Sequence, residues 1–111
     1  MEGTGLGHTP ILTEHPGRSW LTNIKSAIGE GAVVGMASQC IYGRVHENVY
    51  KPLRMLSAAG VVYCQDMLPE TAYVKLAWLL GNNSNERAKE LLAKNITGEI
   101  NERITFDEFL D

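Results

Sequence analysis

Ala32 to Ala37 is six residues without a polar side chain, framed by Gly29-Glu30-Gly31 before it and Ser38-Gln39 after it. A run this short has the length of a strand, and unbroken apolarity implies cover on both faces, as in the parallel sheets of α/β folds. Gly35 within it would let a neighbouring backbone come close. Val61 to Cys64 is a second run of the same kind.

The segments between carry a helical period. From Arg18 to Ile28, the residues Trp20, Leu21, Ile24, Ala27 and Ile28 form one apolar stripe, ended by glycines that supply a left-handed cap. Pro52 suits the first turn of a helix that Leu53, Met55 and Leu56 carry to Ala58-Ala59-Gly60. Pro69 opens the best-defined helix, which runs to about Leu80. There Ala72, Tyr73, Leu76, Leu79 and Leu80 share a face that Val74 and Trp78 widen, so Tyr73 and Trp78 read as core. Asn83 with Glu86 makes a capping-box-like start for a last helix, with Leu91 and Leu92 inward. On it Glu86/Glu90 and Glu90/Lys94 stand one turn apart.

The order helix, strand, helix, strand, helix, helix implies an α/β fold, a three-layer parallel sheet with flanking helices. Two strands are few, and the sheet is expected to need others upstream. Residues 1–97 therefore read as one domain, incomplete at its N-terminus. After Asn95 the period fades, and residues 98–111, with Ile104, Phe106, Phe109 and Leu110 set among acids, read as a docking tail.

A formal charge of −3 leaves no basic footprint for nucleic acid. Cys40 and Cys64 lack CxxC spacing, so neither a zinc site nor a disulfide framework is implied. No apolar run approaches a membrane span, and no secretory leader pattern opens the chain. A cytoplasmic protein without membrane contact is the expectation.

Glycine at 3, 5 and 7 marks a sharp loop before His8. His8 stands where a dinucleotide fingerprint needs its third glycine, and the Lys-Ser/Thr ending of a phosphate loop is absent. The loop reads as a structural turn, with a ligand-facing loop as the alternative. Ser38 to Tyr50 lies where the carboxyl end of a strand would present a second loop, the usual place for ligands in such sheets. In it, Cys40 has only His46 nearby as a base and reads as packed and unreactive; Cys64 is a weaker candidate still. Tyr42 and Arg44 read as a turn whose guanidinium anchors a carboxylate. Asp66 and Glu70 flank a helix start and suit its electrostatics better than acid–base work.

Gly3-Thr4-Gly5-Leu6-Gly7-His8, Ser38-Gln39-Cys40-Ile41-Tyr42-Gly43-Arg44-Val45, Asp66-Met67-Leu68-Pro69-Glu70 and the extension from Gly98 to Phe106-Asp107-Glu108-Phe109-Leu110 follow one another in order. This succession resembles the C-terminal domain of the asparaginase and amidotransferase family, and within it the D-type subunits of archaeal glutamyl-tRNA(Gln) amidotransferases. Lys51-Pro52-Leu53 departs from the small residues the family tends to carry there.

The resemblance implies a full subunit that strips ammonia from glutamine or asparagine. A partner of the E type would use ATP and magnesium to turn glutamyl-tRNA(Gln) into glutaminyl-tRNA. The chain itself would hold no cofactor and meet tRNA only through that partner. In the family a threonine nucleophile, assisted by a second threonine, an aspartate and a lysine, lies in the N-terminal domain. None of those motifs occurs here, and Thr4, Thr9 and Thr13 lack the support, so no catalytic residue is expected and the chain alone should not turn over amide. The resemblance makes Thr4, Gly5, Gly7 and His8 a substrate-adjacent loop; in secreted asparaginases the matching loop supplies an amide side chain to a neighbouring subunit's site, where this chain has His8. An exposed loop histidine is the plainer expectation. The resemblance also puts Tyr42 and Arg44 near a domain or subunit interface, with a plain surface role as the alternative. The abrupt start against the glycine loop reads as a truncation, natural or engineered, and the missing N-terminal domain and a homo-oligomer are expected partners. A fragment of a stand-alone type I asparaginase and a non-catalytic binding module are the alternatives.

Overall fold

The computed structural model describes residues 1–9, 11, 19–48 and 50–101. Its elements are β1 (Glu2–Gly3), α1 (Trp20–Gly29), β2 (Gly35–Ser38), α2 (Lys51–Ala58), β3 (Val62–Tyr63), α3 (Pro69–Asn82) and α4 (Asn85–Leu92).

The two apolar runs pair in parallel as expected, in the order β1-β2-β3, with Gly35 opposite Val62 and Met36 opposite Tyr63. The third strand is supplied by the stretch that the sequence presented as loop. Glu2 and Gly3 lie opposite Ala37 and Ser38. The terminal ammonium of Met1 donates to the Gly35 carbonyl at 2.8 Å, and the Ala37 and Gln39 amides donate to Met1 and Gly3 carbonyls at 2.9 Å. A ladder of backbone bonds needs no apolar side chain, so no periodicity announced it.

Alternation along β3 splits the core into two. Val61 and Tyr63 join Met36, Ile24, Leu53 and Leu56 under α1 and α2. Cys64 joins Leu79, Ala88 and Leu92 under α3 and α4, with Val62 packed against them. Helices thus cover both sheet faces, and the three layers expected from the sequence are present. Gly35 admits side chains instead of a backbone: a Cβ there would lie 3.0 Å from Leu92 Cδ2 and 3.1 Å from Cys64 Sγ.

Helix ends follow local chemistry. Ser19 caps α1, accepting from the Leu21 amide at 3.3 Å, and Gly31 takes φ +98° after its C-terminus. Arg18 lies outside the described residues. Pro52 falls in the first turn of α2 and Pro69 in that of α3. Asn83 does not open α4; its side-chain amide donates back to the Leu79 carbonyl at 3.1 Å and closes α3. The N-cap of α4 is Ser84, whose hydroxyl accepts from the Arg87 amide at 3.3 Å. Glu90 pairs with Arg87 three residues before it, at 2.9 Å, instead of with Lys94. Ser84→Ala should destabilise the chain by about 1 kcal/mol, the ordinary value of such a cap. A urea titration would show a lower midpoint at constant slope, whereas Asn83→Ala, which leaves the cap intact, should lower it less.

The outer side of α3 corrects the sequence reading. Tyr73 is 77% exposed, Val74 65% and Trp78 58%, and the buried positions are Lys75 and Leu79. The face that packs runs through Ala72, Leu76 and Leu79. Trp20, at the start of the α1 stripe, is also half exposed. Packing continues past α4 to Ile100, which joins the second core. Ile104, Phe106, Phe109 and Leu110 lie outside the described residues.

Candidate functional site

Three parallel strands end side by side, and the loops that leave their carboxyl ends form one surface. Those loops begin at Thr4, Gln39 and Cys64. The first closes on itself: the Thr4 amide donates to the His8 carbonyl, and the Gly7 and His8 amides donate to the Thr4 carbonyl, all at 3.0 Å. Closure this tight brings Gly3 against Gly7. A Cβ on Gly3 would lie 2.6 Å from the backbone of Gly7, and one on Gly7 would lie 3.0 Å from Tyr63 Cε1. Gly3 and Gly7 are buried, while Thr4 and Gly5 are exposed. The sequence-predicted loop of Thr4, Gly5, Gly7 and His8 is thus one closed unit at the sheet's carboxyl edge.

Two hydrogen bonds and a ring contact hold this unit to its neighbours. Ser38 Oγ donates to the Gly5 carbonyl at 2.6 Å and accepts from the Cys40 amide at 3.1 Å. The His46 amide donates to the Leu6 carbonyl at 2.9 Å. The His8 ring packs on Tyr50, centroids 5.3 Å apart and planes tilted by 43°. His8 is consequently half-buried and not freely exposed as its loop position suggested.

A second knot lies beside the first. Among the described residues Arg44 holds no carboxylate; its guanidinium donates to the Gln65 side-chain oxygen and, at 2.7 Å, to the Asn101 carbonyl. The Val45 amide donates to the Gln65 carbonyl at 3.0 Å. Gln65, held at both ends, takes φ +59°, a left-handed conformation costing about 1–2 kcal/mol outside glycine. Asp66 accepts from the Asn101 amide at 3.0 Å instead of serving the start of α3, where Glu70 alone supplies first-turn charge. Tyr42 stands 59% exposed on the same loop.

The thiols correct one expectation and keep another. Cys40 is exposed, because the turn that returns Gly43 to its carbonyl at 3.2 Å lifts it off the sheet. Cys64 is buried, and burial pushes its thiol up to about 11. Tyr63 likewise is pushed up to about 12, by burial first and the Glu47 charge second, and its hydroxyl donates to the Leu53 carbonyl at 3.3 Å. Both groups are neutral at pH 7 and pack. Among the described residues no three His, Cys, Asp or Glu side chains gather as a metal site would require, and no helix is long and apolar enough to cross a membrane.

Sequence reasoning missed Ser38, Gln65 and Tyr50. Ser38 had a usable signal, a lone hydroxyl at the very end of an apolar strand. Gln65 had none, since glutamine is not a residue associated with positive φ.

Comparison with known proteins agrees with this geometry. A family model described as the glutaminase/asparaginase C-terminal domain matches residues 1–92. The D subunit of the glutamyl-tRNA(Gln) amidotransferase of Pyrococcus abyssi is 50% identical over 111 residues, 99% of this chain and 24% of that protein. Its counterpart from Methanothermobacter thermautotrophicus is 47% identical over 98% of this chain and 24% of that protein. The chain therefore spans about a quarter of the length of these relatives. Among solved structures, the thermostable L-asparaginase from Thermococcus kodakarensis superposes with TM-score 0.79 and 32% identity, over 92% of this chain and 30% of that one. L-asparaginase I from Vibrio cholerae gives 0.76 and 33%, over 89% and 29%. With the matched model covering β1 through α4 and the same fold in both asparaginases, the chain belongs to the glutaminase/asparaginase C-terminal domain family.

Proposed function

We propose that this chain is the C-terminal part of an amidotransferase subunit that releases ammonia from glutamine or asparagine for the conversion of glutamyl-tRNA(Gln) to glutaminyl-tRNA(Gln). The observation that carries the reading is identity: about half of the residues match archaeal amidotransferase D subunits over almost the whole chain, against a third for the two asparaginase structures. The chain's own contribution is to shape the active site with the Thr4–His8 loop and to offer a subunit interface near Tyr42 and Arg44. Attack on the amide belongs to a threonine-bearing N-terminal domain. ATP and magnesium serve the partner E subunit, which also contacts the tRNA, in a cytoplasmic oligomer.

β1 is an edge strand of the sheet among the described residues, and that edge supports packing against the further domain. β1 is two residues long, and an apolar groove of about 410 Å³ runs beside it, lined by Met1, Val33, Ala72, Tyr73 and Leu76 among others.

A chimera tests the reading: this chain replaces the matching segment of the Pyrococcus abyssi protein. The expected result is ammonia release from glutamine that rises with the E subunit, ATP and glutamyl-tRNA(Gln), while the 111-residue chain alone releases none. Release from free asparagine that ignores the tRNA would favour an asparaginase instead. An inactive chimera beside an active parent would remove the reading altogether.

A further inference from the structure

The Thr4–His8 loop is closed by its own backbone, yet those internal bonds do not set its tilt over the sheet. Ser38 is a buried side chain that ties it to the end of β2. It is 2% exposed, it ends β2, and its hydroxyl uses one hydrogen to reach Gly5 and one lone pair to receive Cys40. The β2 ladder is made by backbone alone, so strand pairing has no need of this hydroxyl. What the hydroxyl adds is a rivet between the first two carboxyl-edge loops. Downstream of it the His46 amide and the Tyr50 ring meet Leu6 and His8. The Gly5 bond and the His8–Tyr50 contact thus hold two ends of the same short loop.

We propose that Ser38 is a positioning residue for the amide substrate, fixing the Thr4–His8 loop so that His8 is presented across the carboxyl edge in one orientation. The proposal rests on the functional reading above. It also separates two kinds of damage. Loss of the rivet should loosen one loop and weaken substrate binding, if His8 faces the amide substrate as that reading requires. A general loss of stability would lower the amount of active protein and leave KM alone.

The test uses the chimera carrying Ser38→Ala or Ser38→Thr. For Ser38→Ala, KM for glutamine should rise about tenfold with kcat within about twofold, the size expected for one buried side-chain hydrogen bond. Ser38→Thr, which keeps the hydroxyl, should stay within about threefold of the unsubstituted protein. Hydrogen exchange supplies a second readout: in Ser38→Ala the Gly7 and His8 amides should exchange about tenfold faster, and those of α3 and α4 should not change. An unchanged KM, a Ser38→Thr variant as impaired as Ser38→Ala, or faster exchange everywhere would each overturn the role of Ser38. An unsubstituted chimera without activity would instead count against the functional reading, so the two failures are distinguishable.

Discussion

Gly3→Ala should cost about 3 kcal/mol of stability, at the upper end of overpacking penalties. The new Cβ would sit 2.6 Å from both the Cα and the carbonyl carbon of Gly7 and 2.9 Å from Met36 Sδ. Methionine can swing aside, but the Gly7 backbone cannot. Its amide is bound to Thr4, and the space on its other side is closed by Tyr63 and Val45. Either β1 leaves β2 or the Thr4–His8 closure opens, and each route forfeits backbone hydrogen bonds worth about 1 kcal/mol apiece. Gly5→Ala is the control. Gly5 takes φ +52° with nothing within 4 Å of a Cβ, so alanine there meets only backbone strain of about 1 kcal/mol. Urea titrations of the two variants should differ by about 2 kcal/mol at equal slope. Equal costs would mean that close approach is not why glycine stands at position 3.

The same contrast shows what the sequence could disclose. Glycine stops and proline starts act through the chain's own backbone within a few residues, so Gly31, Pro52 and Pro69 were readable in place. The two-sided burial of Ala32–Ala37 was readable because apolarity on both faces has few alternatives. β1 was not, since a two-residue edge strand exists only through its partner. α3 misled for a different reason. With Tyr73, Val74, Trp78 and Leu80 joining Ala72, Leu76 and Leu79, it is apolar on most sides, and periodicity cannot say which side packs. The site was half legible. Its loop lies where the glycines put it, but the inward turn of Arg44 depends on Gln65 and Asn101, which lie 21 and 57 residues away. Cys40 read as packed by its adjacency to a buried strand, yet a turn beginning at Cys40 itself was enough to expose it.

Lys75→Met should be the other severe change, costing about 3 kcal/mol at pH 7, the low end for breaking a buried pair. Lysine in the middle of an apolar helix looks like a solvated residue, and here it is 9% exposed. Its Nζ lies 2.6 Å from Glu99 Oε1 and also donates to the Lys94 carbonyl. Glu99 in turn accepts from the Ile96 and Thr97 amides at 3.0 and 2.7 Å and from the Thr97 hydroxyl at 3.0 Å. Burial opposes ionisation of this carboxyl, but the Lys75 ammonium and then the amides outweigh it and hold it well below the usual carboxylate range. A carboxyl lowered on folding contributes stability that is whole above its unfolded value of about 4.3 and is lost as pH falls toward the folded one. The chain should therefore weaken as the medium is acidified below about pH 5. Lys75→Met should weaken less over the same interval, because the strongest stabiliser of the charged carboxylate is gone. The two stability curves should converge toward acid, as read by urea titration at about pH 7 and about pH 3. A gap of the same size at both values would mean that methionine disturbs packing alone. Convergence would identify the pair as the clamp holding residues 94–99 to α3, two residues before Asn101 meets Arg44 and Asp66 at the carboxyl edge.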